Sequence, residues 1–213
     1  MMHVKYPLSL RNVEDLLAER GIDICHETVR FWWNRFGPRF AAEIRRKRVD
    51  HMRAYTHWRW HPDEVIVQIN GENHYLWRAV DHEGEVLKVF ATKTRDKTAA
   101  LKFLKKMMKC HGKLRASVID KLRSYSAVMK DIGNAGIQET SRWLNNRAEN
   151  SHQPFRRRER AMLRFRRMRT LQKFSSGHAS VHNHFNHERH LVSRDVYKAR
   201  RAAALAEWRA VMG

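Results

Sequence analysis

The chain has 213 residues, 43 Lys and Arg against 22 Asp and Glu, a formal charge of +21 and a pI near 10.8; it is built to meet a polyanion, through counterion release at phosphates. Its 42% hydrophobic content, with seven Trp and nine Phe, fills a core and excludes a disordered basic tail, and no apolar run approaches the ~20 residues of a membrane span. Only Cys25 and Cys110 occur and the opening MMHVKYPLSL lacks the apolar core of a signal peptide, so a disulfide framework, a cysteine zinc site and secretion are set aside in favour of a reducing cytoplasm.

Residues 1–45 read as helical. In LSLRNVEDLLAERGID, Ser9 is the N-cap, Val13, Leu16 and Leu17 keep helical spacing, and Gly21 is the stop. CHETVRFWWNRFGPRF resumes the period through Val29, Trp32, Trp33 and Phe36. Helix, glycine-containing turn, helix is the helix-turn-helix pattern, and the second helix carries Thr28, Arg30, Asn34 and Arg35, which can reach bases or phosphates. An ordinary helical hairpin with solvated charges fits the same pattern. RKRVDHMRAYTHW, residues 46–58, reads as a basic linker. The charge is interleaved with Trp, Asn and His rather than laid out as one amphipathic helix, which sets a membrane surface aside.

From residue 59 the pattern changes. EVIVQIN, HYLWRAV and EVLKVFA, joined by GEN and DHEG, predict an antiparallel three-strand meander. RDKTAALKFLKKMMKCHG predicts a helix capped by Asp96, with Ala100, Phe103, Leu104, Met107 and Met108 on one apolar face and Gly112 at its end. ASVI reads as a short buried strand, KLRSYSAVMKDIG as a helix, Gly136–Glu139 as a brief strand, and a further helix opens at Asn146. RRRERAMLRFRRMRTLQKF predicts one packed helix with a cationic face, and VSRDVYKARRAAALAEWRAVMG a terminal helix. The fold class expected is α/β, a mixed sheet with helices.

Three acids stand where chemistry can use them. Asp63 opens the first strand in WHPDEV, Asp120 closes ASVI, and Glu149 lies in the first turn of the helix after LNN. Clustered carboxylates hold Mg²⁺, which keeps open positions for phosphate, and two such ions drive an in-line phosphoryl displacement. Each acid also has a plain structural reading. Asp120 can cap the next helix, Asn146 to Glu149 has capping-box spacing, and Asp63 can be a solvated strand end. His152 shares a helix face with Glu149 and either orients a ligand, touches phosphate or is a surface histidine. The histidines at 178, 182, 184, 187 and 190 lack a cysteine and match no closed zinc spacing.

YPLSLRNVEDLLAERGI, WHPDEVIVQINGENHYLWRAVDHEGEVL, DKLRSY and NNRAENSHQPFRRRER, in this order, resemble the DDE transposases of the IS-six insertion-sequence family over nearly the whole chain. The resemblance implies an N-terminal helix-turn-helix at 1–45, shortened at its start, and a basic linker at 46–58. It further implies an RNase H-like catalytic domain at 59–175 and a helical basic C-terminal region at 176–213. It implies that Asp63, Asp120 and Glu149 hold two Mg²⁺ ions, or Mn²⁺, for cleavage at transposon ends and strand transfer into target DNA. Lys121, Arg123, Arg147, Arg156, Arg157 and Arg158 are then expected to hold phosphates, with Asn146 and His152 beside them. The implied partners are double-stranded DNA and a second copy of the chain, in a homodimer or larger assembly near the bacterial nucleoid. A shortened front also admits a DNA-binding remnant that represses an intact relative. Lys88 stands where the family usually has aspartate, Ile119 where threonine is common, and the second and third acids lie 149 − 120 = 29 positions apart.

Overall fold

The computed structural model describes residues 2–53, 59–81, 84–112, 116–118, 128–129, 131, 133, 138–139, 146–162, 165–185 and 192–212. The chain divides into two compact units, Met1–Lys47 with Gly177–Gly213, and Arg48–Ser176. Among the described residues no helix is long and apolar enough to cross a membrane.

The first unit is helical. It holds α1 (Met2–Lys5), α2 (Leu10–Ala18) and most of α3 (His26–Arg53). Ser9 caps α2 by accepting from Asn12 N, and the Asn12 side chain returns the bond to Ser9 N. The expected linker does not start at residue 46: α3 runs on to Arg53. Residues 46–53 contain neither Gly nor Pro, and a helix already nucleated propagates cheaply through such residues. Residues 177–213 share this unit rather than standing apart as a C-terminal region. They bring the second half of a helix running Met168–Phe185 and a final helix, Arg194–Met212, labelled α6 and α7 below. Val4, Ile44, Val181, Phe185, Ala204 and Trp208 form the core. Trp33 lies so close to two glycines that a Cβ at Gly37 or at Gly177 would come within 2.5 Å of its indole.

The second unit is a five-stranded mixed sheet in the order β3-β2-β1-β4-β5. The strands are β1 (Arg59–Ile69), β2 (Glu72–Val80), β3 (Val86–Thr92), β4 (Ala116–Val118) and β5 (Gln138–Glu139). The first three form the expected meander, while β4 pairs in parallel with β1 and β5 in parallel with β4. The expected α/β class with a mixed sheet is what the chain forms. The hairpin turns on Asn70 and Gly71 alone, at φ 54° and 83°, so Glu72 already belongs to β2; positive φ at both central residues is the tight hairpin that matches strand twist. β1 begins at Arg59, so Asp63 lies inside the strand instead of opening it.

Helix α4 (Lys97–His111) covers one sheet face, packing Ala100, Phe103, Leu104 and Met107 on Trp60, Trp77, Ala79 and Leu87. Asp96 caps it, accepting from Ala99 N at 2.7 Å. Helix α5 (Asn146–Ala161) packs against β1 and β2. The long basic helix expected beyond Arg156 is broken: α5 ends at Ala161 and α6 begins at Met168. Between them Phe165 bridges to Ile69 and stacks on Phe155, centroids 6.4 Å apart and 3° from parallel. Burying that ring against a strand end holds the backbone out of the helix. Gln172 of α6 forks onto the outer edge of β3, accepting from Ala91 N at 2.8 Å and donating to Val89 O at 3.2 Å, which blunts an edge otherwise open to strand addition. Of the helix expected over KLRSYSAVMKDIG, Val128, Met129 and Asp131 are described and helical; its remainder, apart from Gly133 in a turn, lies outside the described residues, as do Ile119 and Gly136.

Candidate active site

Strand alternation puts Asp63, Val65 and Val67 on one face of β1. Arg78 of β2 stands directly opposite Asp63 in the antiparallel register, so the two side chains share that face. On its other side β1 pairs with β4 through Arg59↔Ala116 and Trp60↔Ser117, partners 116 − 59 = 57 positions apart. Asp63 and Asp120 are also 57 positions apart, but Asp120 lies outside the described residues.

Helix α5 carries Glu149 in its first turn and His152 one turn later on the same face. Glu149 is exposed. His152 Nε2 comes 3.6 Å from Asp63 Oδ2, with the two side chains only 16% and 14% exposed. The reading of His152 as a surface histidine is thereby corrected: α5 packs it against the sheet. Asp63 Oδ1 accepts from Glu64 N at 2.8 Å, which orients the carboxylate. Glu64 itself pairs with Arg95.

One cation, Arg78, sits beneath α5. Arg78 is 2% exposed; its Nη2 donates to Ser151 O at 2.9 Å and to Ser151 Oγ at 3.5 Å, and the guanidinium lies 5.8 Å from the Phe155 ring centre. Burial pushes its pKa down to about 10 while the Asp63 carboxylate opposes the shift, so it stays charged at neutral pH. Burial, then the charges of Arg78 and Arg156, push His152 down to about 3. His152 is therefore neutral when folded, whereas the unfolded chain protonates it near pH 6.5. Between those values the unfolded state holds the extra proton, so this group costs stability as pH falls, by up to about 1.4 kcal/mol per pH unit. His152→Asn is expected to flatten the loss of thermal stability between pH 6.5 and 4, measured by calorimetry across that range; an unchanged slope would mean His152 is charged in the fold.

The expected phosphate-holding arginines fare differently. Arg156 is spent on the protein, donating to Ile66 O at 2.6 Å and to Glu159 Oε2 at 2.5 Å. Arg158 is 1% exposed, 5.9 Å from the Phe174 ring centre, with its pKa pushed down to about 10 by burial. As a phosphate contact it is corrected: α5 turns it into the core. Arg157 is exposed. Lys121 and Arg123 lie outside the described residues; Asn146 and Arg147 open α5, and their side chains are not among those described. On α3, Arg30 chelates Glu27 at 2.6 and 2.9 Å, Asn34 and Arg35 are exposed, and Thr28 is half-buried beside Cys25. Arg35 lies 5.8 Å from the Phe31 ring centre. An apolar cavity of about 460 Å³ in the same unit, lined by Val13, Leu17, Trp32, Trp33 and Phe40, holds none of the predicted site residues.

Arg78 escaped the sequence reading. Its signal was present: in HYLWRAV it occupies the inward register with Leu76 and Val80, where a cation has no ordinary reason to be. The histidine cluster is structural as far as it is described. His178 and His182 stack at 5.8 Å and His184 Nε2 meets Ala204 O at 2.7 Å; His187 and His190 lie outside the described residues. Among the described residues no three His, Cys, Asp or Glu side chains gather as a metal cage. Asp63, which His152 of α5 approaches, and Glu149, one turn earlier on that helix face, are both carboxylates. That donor chemistry fits a hard divalent cation such as Mg²⁺.

Residues 57–188 match a family described as a DDE domain. The chain is 33% identical over 155 residues to the transposase for insertion sequence-like element IS431mec of Staphylococcus aureus, covering 70% of this chain and 67% of that one. It is 32% identical, with the same coverage, to the transposase for insertion sequence element IS257 in transposon Tn4003 from the same species. Among solved structures, the simian T-cell lymphotropic virus intasome in complex with PP2A regulatory subunit B56 gamma aligns at a TM-score of 0.42 and 11% identity, over 58% of this chain and 48% of that chain.

Proposed function

The chain belongs to the IS-six family of DDE transposases, and from that membership we propose that Asp63, Asp120 and Glu149 form a metal-holding triad that cuts and joins DNA at the ends of an insertion sequence. The sheet unit is then an RNase H-like catalytic domain spanning 59–175. What supports this reading is the packing of α5 against β1. The helix face bearing Glu149 is packed against Asp63 through His152, and the register joining β1 to β4 has the same 57-residue offset as the two aspartates.

Two bound Mg²⁺ ions, or Mn²⁺, would supply activation of the attacking hydroxyl and stabilisation of the leaving oxygen. The residues of the chain prepare the place. Glu64 N–H fixes one oxygen of Asp63 and leaves the other turned toward α5. His152, neutral, adds no positive charge to compete with a cation. Exposed Arg157 and the wider cationic surface draw in the phosphate backbone. We assign recognition of the terminal repeats to α2, its turn and the exposed Asn34 and Arg35 of α3, with two copies of the chain holding two ends.

The test is Mg²⁺-dependent nicking of a labelled duplex carrying the element's own terminal repeat, with Glu149→Gln beside the parent. Specific nicking by the parent, and DNA binding without nicking by the variant, is the expected result. If the variant loses binding and nicking together, Glu149 is a helix cap and the triad assignment fails.

A further inference from the structure

Arg78 belongs to no part of the triad and sits on a strand that carries none of it. Yet it occupies the register position facing Asp63, and its guanidinium reaches across to helix α5 at Ser151, two residues after Glu149. It is 2% exposed. Burial removes its hydration, a cost that the Asp63 carboxylate and the Ser151 oxygens only partly offset. An apolar side chain of the same length would fill the space without that cost. A residue that breaks local rules inside a packed unit points to a task other than stability.

The contacts indicate that task. Ser151 O and Oγ both accept from the same Nη2, so the first turns of α5 are tied to β2 at one point. The Phe155 ring, one turn later, lies against the same guanidinium and fixes its direction. Glu149 stands one turn before His152 on this helix, and His152 reaches Asp63. Sliding or rotating the start of α5 would therefore shift Glu149 relative to Asp63. We propose that Arg78 is a positioning residue of the catalytic centre: by tying Ser151 to β2 it holds Glu149 at the distance from Asp63 that a shared divalent cation requires. This rests on the triad reading above.

The test uses Mn²⁺ alone as the probe, titrated calorimetrically into the full chain. Four proteins are compared: the parent, Arg78→Met, Glu149→Gln and the double variant. Arg78→Met is expected to keep the parent's thermal midpoint and to weaken Mn²⁺ binding roughly 10–100-fold, the range for groups that orient metal ligands. In the Glu149→Gln background the same change is expected to add nothing, because the ligand that Arg78 positions is already gone. Equal weakening in both backgrounds, or none in the first, overturns the proposal. If Arg78→Met does not fold, Arg78→Lys takes its place. It keeps the charge but is too short for the same reach, and the same comparison of backgrounds decides. A parent that binds no Mn²⁺ brings down the triad reading and this role with it; a parent that binds, with Arg78 variants that bind equally well, brings down only this role.

Discussion

Asp63→Asn is expected to reduce Mg²⁺-dependent nicking on the order of 10³-fold, the upper range for removing one electrostatic group from a reacting centre, while leaving DNA binding in metal-free buffer at the parent's level. Asparagine is nearly the same shape, and its carbonyl oxygen can still accept from Glu64 N as Asp63 Oδ1 does at 2.8 Å. What disappears is the charge. That charge has a rival use, because Asp63 faces buried Arg78 and opposes the downward push on its pKa. The two uses separate in the double variant Asp63→Asn with Arg78→Met. If Asp63 serves only as counter-ion to Arg78, Asp63→Asn costs no further activity once Arg78→Met has removed that cation. If it holds metal, the double variant recovers stability and stays inactive. Gel-based nicking and thermal unfolding of the same four preparations read both quantities.

Phe155→Ala is expected to destabilise the sheet unit by about 3–5 kcal/mol, the range for emptying a buried aromatic site. Phe155 is 0% exposed, stacks on Phe165 and faces the Arg78 guanidinium. Its loss removes the ring that meets Phe165 at the break between α5 and α6, and the apolar wall beside the guanidinium that ties α5 to β2. Against a typical total of about 5–15 kcal/mol, this places the unit near unfolding. Phe155→Leu keeps most of the volume and is expected to cost far less. Urea unfolding followed by tryptophan fluorescence measures both; a cost below about 1 kcal/mol for the alanine variant would mean that neighbouring side chains collapse into the space.

Several elements were legible in the sequence because their signals are local. Ser9 and Asp96 announce helix starts, since a short oxygen-bearing side chain before an apolar periodic run finds free N–H groups within three residues. The strand-forming runs HYLWRAV and EVLKVFA, set off by GEN and DHEG, announced the antiparallel strands. The candidate acids were picked out by position and by family resemblance; Glu149 falls in the first turn of its helix as expected, while Asp63 lies inside β1 rather than at its start. Composition alone gave the charge of +21 that points to a polyanionic partner, because charge needs no fold to be counted.

Tertiary structure decided the rest. The split of the long basic segment into α5 and α6 depends on Phe165 finding Ile69 and Phe155, contacts nearly 100 residues apart for the first and invisible to helical periodicity. The membership of residues 177–213 in the unit of residues 1–47 is equally non-local. So are the fates of three arginines: Arg157 of α5 in solvent, its neighbour Arg158 turned into the core, and Arg78 of β2 buried facing Asp63. A sequence states which residues carry charge. Whether that charge meets water, an aromatic ring or a carboxylate is fixed only when elements distant in the chain close over it, because desolvation and Coulomb energy depend on distance in space and not along the chain.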